Sequence, residues 1–196
     1  MVKIRLTFFL SVLVIGIILF GFTDLSEIIP QADNIASDSM SDTSELEEDE
    51  AIISRVIDGD TLLVIDSEGE EERVRLLLID TPESVHPDEP EEKYGPESSE
   101  YAEDYFDVGD KVTLEVGKPK RDKYDRLLAY VWKDGENFNK LMVEKGYARI
   151  AYVNDSNDQY LDEFEEAEKQ AKKQQKKIWS IDGYVTDEGF DMSVVE

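Results

Sequence analysis

From Ala51 onward, apolar and polar residues alternate in short runs rich in β-branched side chains, the period-two pattern of half-buried strands. Five runs stand out: Ile52–Ile57, Thr61–Asp66, Arg73–Ile79, Lys111–Val116 and Leu127–Trp132. Asp58-Gly59 and Glu68-Gly69 separate the first three, where hairpin turns need small or turn-forming residues. Elsewhere the period becomes helical. Glu97–Phe106 follows Pro96, and Phe138–Lys145 is closed by Gly146. A third stretch, Asp158 to about Lys177, carries acids in its first half and lysines in its second, which complements the helix dipole. Elements in this order predict an α+β fold, mainly β: a five-stranded barrel with about three helices packed on it.

The first 50 residues follow other rules. Leu6 to Phe22 carries no charge and is preceded by Lys3 and Arg5. It is longer than a usual signal-peptide apolar region and at the short limit for a membrane span. The basic flank predicts a cytoplasmic N-terminus and an exported body. Residues 1–23 therefore read as an apolar helix that is either a retained membrane anchor or an export signal, with Gly21-Phe22-Thr23 and Pro30-Gln31-Ala32 as weak cleavage candidates. Residues 24–50 hold ten acids and no lysine or arginine, the composition of a disordered, self-repelling tether. Residues 51–181 form the expected folded domain, and 182–196 read as an acidic C-terminal tail. The expected product is a monomer outside the cytoplasm, anchored by its N-terminal segment or secreted after cleavage.

Charge and composition narrow the chemistry. Asp and Glu number 47 against 21 Lys and Arg, a formal charge of −26, which argues against nucleic-acid binding through a broadly basic surface. Such a surface suits salt-rich surroundings. With no cysteine, disulfides and thiolate metal sites are excluded. A metal must be held by oxygen or by the single His86, which favours calcium or magnesium over zinc.

Against that background Val74–Glu83, V-R-L-L-L-I-D-T-P-E, stands apart. A guanidinium among leucines is costly unless paired, so Arg75 needs a carboxylate at rest and a phosphate in use. Arg75 and Asp80 are five residues apart and would face opposite sides of an ideal strand. They converge only if the strand ends or bulges before Asp80, and that is the expectation. Asp60 and Asp80, each at a strand end, can offer a hard cation oxygen ligands. Taken alone, Asp58-Gly59-Asp60-Thr61 is an ordinary turn; joined to the second motif it favours metal binding. Glu83, on a turn stiffened by Pro82, reads either as general base for an attacking water or as a solvated loop glutamate. Arg126, opening an apolar strand, reads either as a clamp on a phosphate opposite Arg75 or, taken singly, as a strand-entry charge snorkelling to water. Lys118, Lys120, Arg121, Lys123 and Arg126 form one basic cluster interleaved with Tyr124, while Tyr152 lies near Arg149. Lysines meeting phosphates and tyrosines stacking on bases are the terms of single-strand binding. His86 is expected to be structural or solvent-facing.

These residues carry a resemblance to the thermonuclease, or staphylococcal-nuclease-like, family. Its landmarks stand as I-D-G-D-T (Ile57–Thr61), V-R-L-L-L-I-D-T-P-E, E-K-Y-G-P-E (Glu92–Glu97), D-K-Y-D-R-L-L-A-Y (Asp122–Tyr130) and A-Y-V (Ala151–Val153), and the likeness runs from about Ile52 to Ile181. The resemblance implies an OB-fold barrel and calcium-dependent hydrolysis of DNA and RNA, preferably single-stranded, to 3′-phosphate ends. It implies catalytic roles for Arg75, Glu83 and Arg126, and calcium held by the Asp60 and Asp80 side chains and the Thr81 carbonyl. It places Lys123, Tyr124 and Tyr152 around the nucleotide. Two positions depart from the family pattern: Asp125 stands where glycine is common, and Asn154 where a second pocket tyrosine can follow. The alternative is a non-catalytic OB-fold module at the cell surface, binding nucleic acid or calcium. Its mark would be the loss of Arg75, Glu83 or Arg126, and all three are present.

Overall fold

The computed structural model describes residues 49–84 and 91–195. The proposed membrane segment, almost all of the tether, and His86 lie outside them. Three alternating runs become a meander, β1 (Glu50–Asp58), β2 (Thr61–Ile65) and β3 (Glu71–Leu76). Later runs give β5 (Lys111–Arg121) and β6 (Leu127–Lys133). Antiparallel pairing links β3, β2, β1, β5 and β6 in that order, and a parallel pairing of β3 with β6 (Val74 with Leu127, Leu76 with Ala129) closes the circle. This is the five-stranded OB-fold barrel expected from the sequence. Closure leaves these five strands without a free edge over the paired stretch. Ala51, Ile53, Leu62, Val64, Val74, Leu76, Leu114, Ala129 and Val131 fill the interior. Each large aliphatic side chain so buried contributes on the order of 1.5–3 kcal/mol.

Three helices cover the barrel: α1 (Gly95–Tyr105), α2 (Phe138–Lys145) and α3 (Leu161–Lys173). Pro96 opens α1, where a missing N–H does no harm. Asn137 caps α2 by accepting from the Lys140 N–H at 3.1 Å, and Gly146 ends it at φ 81°, as its sequence position predicted. The last helix is shorter than expected. It stops at Lys173, and Lys177–Ser180 forms a separate 3-10 turn that buries Ile178. Among the described residues no helix is long and apolar enough to cross a membrane.

Three short pairings bear on the site. The chain leaves β3 at Leu76, turns through Leu78 at φ 63°, and resumes as β4 (Ile79–Asp80) against β8 (Arg149–Ile150). Buried Asn139 fixes this turn: its amide donates to the carbonyls of Leu77 (3.0 Å) and Ala129 (3.1 Å) and its oxygen accepts from the Val131 N–H. β7 (Glu136–Asn137) folds back antiparallel on the end of β6. The stretch after Asp182, acidic by composition, is built into a hairpin of β9 (Val185–Thr186) and β10 (Gly189–Phe190). Tyr184 has no exposed surface, which a bare acidic tail would not provide.

Candidate active site

The interruption after β3 turns Asp80 back towards Arg75. The Arg75 Nη2 lies 3.0 Å from Asp60 Oδ2 and 3.3 Å from Asp80 Oδ1, while Nη1 donates to the carbonyls of Leu76 and Ile79. The guanidinium is thus paired at rest by carboxylates, as its burial demands. Burial works against its charge, but Asp60, Asp80 and Asp58 outweigh it and raise the Arg75 pKa further.

Asp60 sits in the β1–β2 turn. Its Oδ2 also accepts from the Thr81 N–H (3.1 Å) and hydroxyl (3.2 Å), tying the two turns together across 21 residues. Gly59 lets this turn press against α1: a Cβ there would overlap Ser98 and crowd the Thr81 methyl. Asp58 accepts from the Asp60 N–H and lines the same small cavity. Burial, then the neighbouring Asp60, push the Asp58 carboxyl up to about 7. The Asp80 carboxyl is raised too, by burial and by Asp60, with Arg75 and Arg149 opposing. Carboxyls crowded in this way gain from a bound cation.

Asp58, Asp60, Arg75, Asp80, Thr81, Pro82, Glu83, Arg126 and Tyr152 together line that cavity, of about 190 Å³ and almost wholly polar. The structure therefore gathers all three proposed catalytic residues and all three proposed metal ligands around one space. Among the described residues no three acidic or histidine side chains are close enough to hold a metal by themselves. A cation here needs the Thr81 carbonyl and water besides Asp60 and Asp80, which suits an ion with an oxygen shell. Glu83 is set by its backbone: its N–H donates to Glu92 Oε2 and its carbonyl accepts from the Glu92 N–H, both at 2.8 Å. Gly95 allows α1 to begin against this turn, since a Cβ there would overlap the Glu83 carbonyl.

Arg126 is held by the turn from Asp122. Asp122 Oδ1 accepts from the N–H groups of Tyr124 (2.8 Å) and Arg126 (3.0 Å), and Oδ2 accepts from Arg126 Nε at 2.8 Å. Burial opposes ionisation of Asp122, but these donors win and lower its pKa.

A second cavity, of about 500 Å³, adjoins the first and shares Arg75, Arg126 and Tyr152 with it. Leu76, Leu77, Leu78 and Leu128 also line it, with Lys123, Tyr124 and Asn154. Tyr124 and Tyr152 are 60% and 70% exposed, so each offers a ring face to a base. Lys123 Nζ stands 4.8 Å from the centre of the Tyr124 ring, and the Tyr152 hydroxyl lies 3.4 Å from Asp80 Oδ1. The basic cluster is smaller than its sequence suggests. Arg121 is clamped by Glu72 through two bonds of 2.7 and 2.8 Å, and neither Lys118 nor Lys120 lines either cavity.

Two residues important here were not singled out by the sequence. Arg149 is buried and grips Asp80 Oδ2 with Nε at 3.0 Å and Nη2 at 2.9 Å. Its only hint was proximity to Tyr152. Asp122 carried a readable signal in D-K-Y-D-R, since an aspartate two and four residues before the N–H groups that donate to it is a local turn former.

The staphylococcal nuclease homologue family model matches residues 73–181. Over 145 residues the chain is 43% identical to the SPbeta prophage-derived endonuclease YokF of Bacillus subtilis, covering 74% of this chain and 48% of that protein. It is 43% identical over 140 residues to endonuclease YncB of the same organism, covering 71% and 65%. A thermonuclease of Staphylococcus hyicus is 41% identical over 128 residues, covering 65% of this chain and 74% of the relative. The chain thus spans about half and about two thirds of the two Bacillus proteins. A family match across more than half the chain, with the barrel and its paired turns, leads to one conclusion: the chain belongs to the staphylococcal nuclease family.

Proposed function

We propose that this chain is a calcium-dependent endonuclease that hydrolyses phosphodiester bonds in DNA and RNA, preferably single-stranded, and leaves 3′-phosphate ends. The observation that carries the reading is the joint placement of Arg75, Arg126 and Glu83 with Asp60, Asp80 and Thr81 around one cavity. That cavity opens beside a tyrosine-rimmed pocket large enough for a nucleotide. The names of its relatives, endonuclease and thermonuclease, support the same reaction class.

Asp60, Asp80 and the Thr81 carbonyl would hold calcium, which when bound supplies positive charge against the phosphate and lowers the pKa of nearby water. The protein's own residues do the rest. Tyr124, Tyr152 and Lys123 seat the nucleotide by stacking and charge. Arg75, already within bonding reach of two carboxylates, turns hydrogen bonds to the phosphate oxygens, and Arg126 approaches from the side held by Asp122. Glu83 accepts a proton from water as the water oxygen attacks phosphorus. The phosphorus–O5′ bond breaks, the 5′-oxygen keeps the electron pair and takes a proton from solvent, and the 3′ side retains the phosphate. The location outside the cytoplasm expected from residues 1–23 belongs to the same proposal.

The test is cleavage of a 5′-labelled single strand by the full chain with calcium, magnesium or chelator. The proposal expects cleavage with calcium, loss with chelator, and products shortened in charge by a 3′-phosphatase. Calcium binding with no cleavage would favour the non-catalytic module.

A further inference from the structure

Residues 182–195 lie beyond the family match, which ends at 181, yet they touch the supports of the site at two separate places. At one end, the carbonyls of Thr186 and Asp187 accept from Arg149 Nη1 at 3.4 and 3.3 Å, and Phe190 lies 5.9 Å beneath the same guanidinium. Arg149 in turn holds Asp80 Oδ2, which leaves Oδ1 towards Arg75 and Tyr152 at the cavity. At the other end, the Tyr184 hydroxyl donates to the Lys93 carbonyl, and the Lys93 N–H reaches Met192 Sδ at 3.4 Å. Lys93 follows Glu92, whose backbone and carboxylate fix the backbone of Glu83. The two ends are joined rigidly: Tyr184 packs on Phe190 at 5.3 Å, and the Asp191 N–H donates to the Tyr184 carbonyl at 2.7 Å.

We propose that residues 184–192 form a strap that positions the reaction's residues from outside, orienting Asp80 through Arg149 and Glu83 through Lys93 and Glu92. The inference rests on the functional reading above. Arg149, Tyr184 and Phe190 are positioning residues: no contact of theirs reaches the reacting atoms. Groups that orient a metal-binding carboxylate govern metal affinity, while groups that place a base govern the chemical step. The two ends therefore predict two different defects, which a merely stabilising tail would not produce.

The test uses the full chain and two variants that leave charge unchanged, Phe190→Ala and Tyr184→Phe. Calcium affinity is read by calorimetry without substrate, kcat and KM at saturating calcium, and unfolding by thermal melting. Phe190→Ala is expected to weaken calcium about three- to tenfold, since it acts one residue beyond the carboxylate's partner, with kcat at saturating calcium near that of the wild type. Tyr184→Phe is expected to leave calcium affinity unchanged and lower kcat about tenfold. Wild-type values in both folded variants, tighter calcium binding by Phe190→Ala, or defects that merely track the unfolded fraction would each overturn the strap. A wild-type chain that neither binds calcium nor cleaves would instead bring down the nuclease reading, and the strap's role with it.

Discussion

Arg75 and Asp80 are five residues apart, yet the guanidinium of one lies 3.3 Å from the carboxylate of the other. An unbroken strand would have separated them. Leu78, in the left-handed region at φ 63°, ends that strand and reverses the side on which Asp80 emerges. A buried leucine in such a conformation carries a local cost that the Asn139 bonds and the β4–β8 pairing offset. The site therefore depends on a break in a strand that its apolar composition would otherwise have continued.

Arg75→Ala leaves Asp60 and Asp80 facing each other without their shared partner. Breaking a buried pair typically costs about 3–5 kcal/mol, and loss of a preorganised donor about 10²–10³ in rate. Calcium should restore part of the lost stability by supplying the missing charge. The check is thermal melting with and without calcium: the shift in Tm is expected to be larger in Arg75→Ala than in the wild type.

Gly95→Ala tests how Glu83 is placed without touching its carboxylate. The added methyl overlaps the Glu83 carbonyl, so either the turn or the start of α1 must move. A displacement near 1 Å costs on the order of 10²-fold in rate. Steady-state kinetics should show the loss in kcat, with calcium affinity little changed.

The Asp122 turn links stability to pH. Its folded-state pKa is depressed, so its contribution is present above the unfolded value of about 3.9 and is lost as pH falls through the lower folded value. Asp122→Asn removes that dependence and loosens Arg126, lowering stability at neutral pH by about 1–3 kcal/mol. Denaturant melts at neutral pH and at the acid end of the folded range should show the wild-type advantage shrinking as pH falls.

The elements were legible because period and punctuation agree. The five strands and Phe138–Lys145 with its Gly146 cap follow from local pattern alone. Arg75 and Asp80 stood out because charges set in an apolar strand or at its exit demand a reason, whereas Glu83, Arg126 and Asp60, ordinary when taken singly, were chosen through the joined motifs and the family resemblance. What local pattern could not supply was long-range partnership. Arg149 meets Asp80 across 69 residues, and Asn139 meets Leu77 across 62. The hairpin after Asp182 escaped notice because two-residue strands have too little length to show a period, and its acids hide the buried Tyr184. Arg121 erred in the opposite direction: sequence proximity put it in a basic groove, but Glu72 on β3 claims it.

The charge of −26 carries its own prediction. An acidic enzyme that contacts few phosphates carries a shallow salt dependence, since each contact adds only about −0.7 to the log–log slope on a single strand. KM should therefore rise with salt at a shallow slope while kcat at saturating substrate persists into molar salt. Collapse of kcat across that range would remove the expectation of salt-rich surroundings.

The proposed hydrolysis turns on Glu83 as the base beside an oxygen-bound cation at the Arg75 cavity. Single-turnover cleavage of a single-stranded oligonucleotide by Glu83→Gln at saturating calcium tests it most directly, with calcium affinity measured in parallel. The rate is expected to fall by about 10²–10⁴-fold with calcium still bound; cleavage at the wild-type rate by that variant would rule Glu83 out as the base.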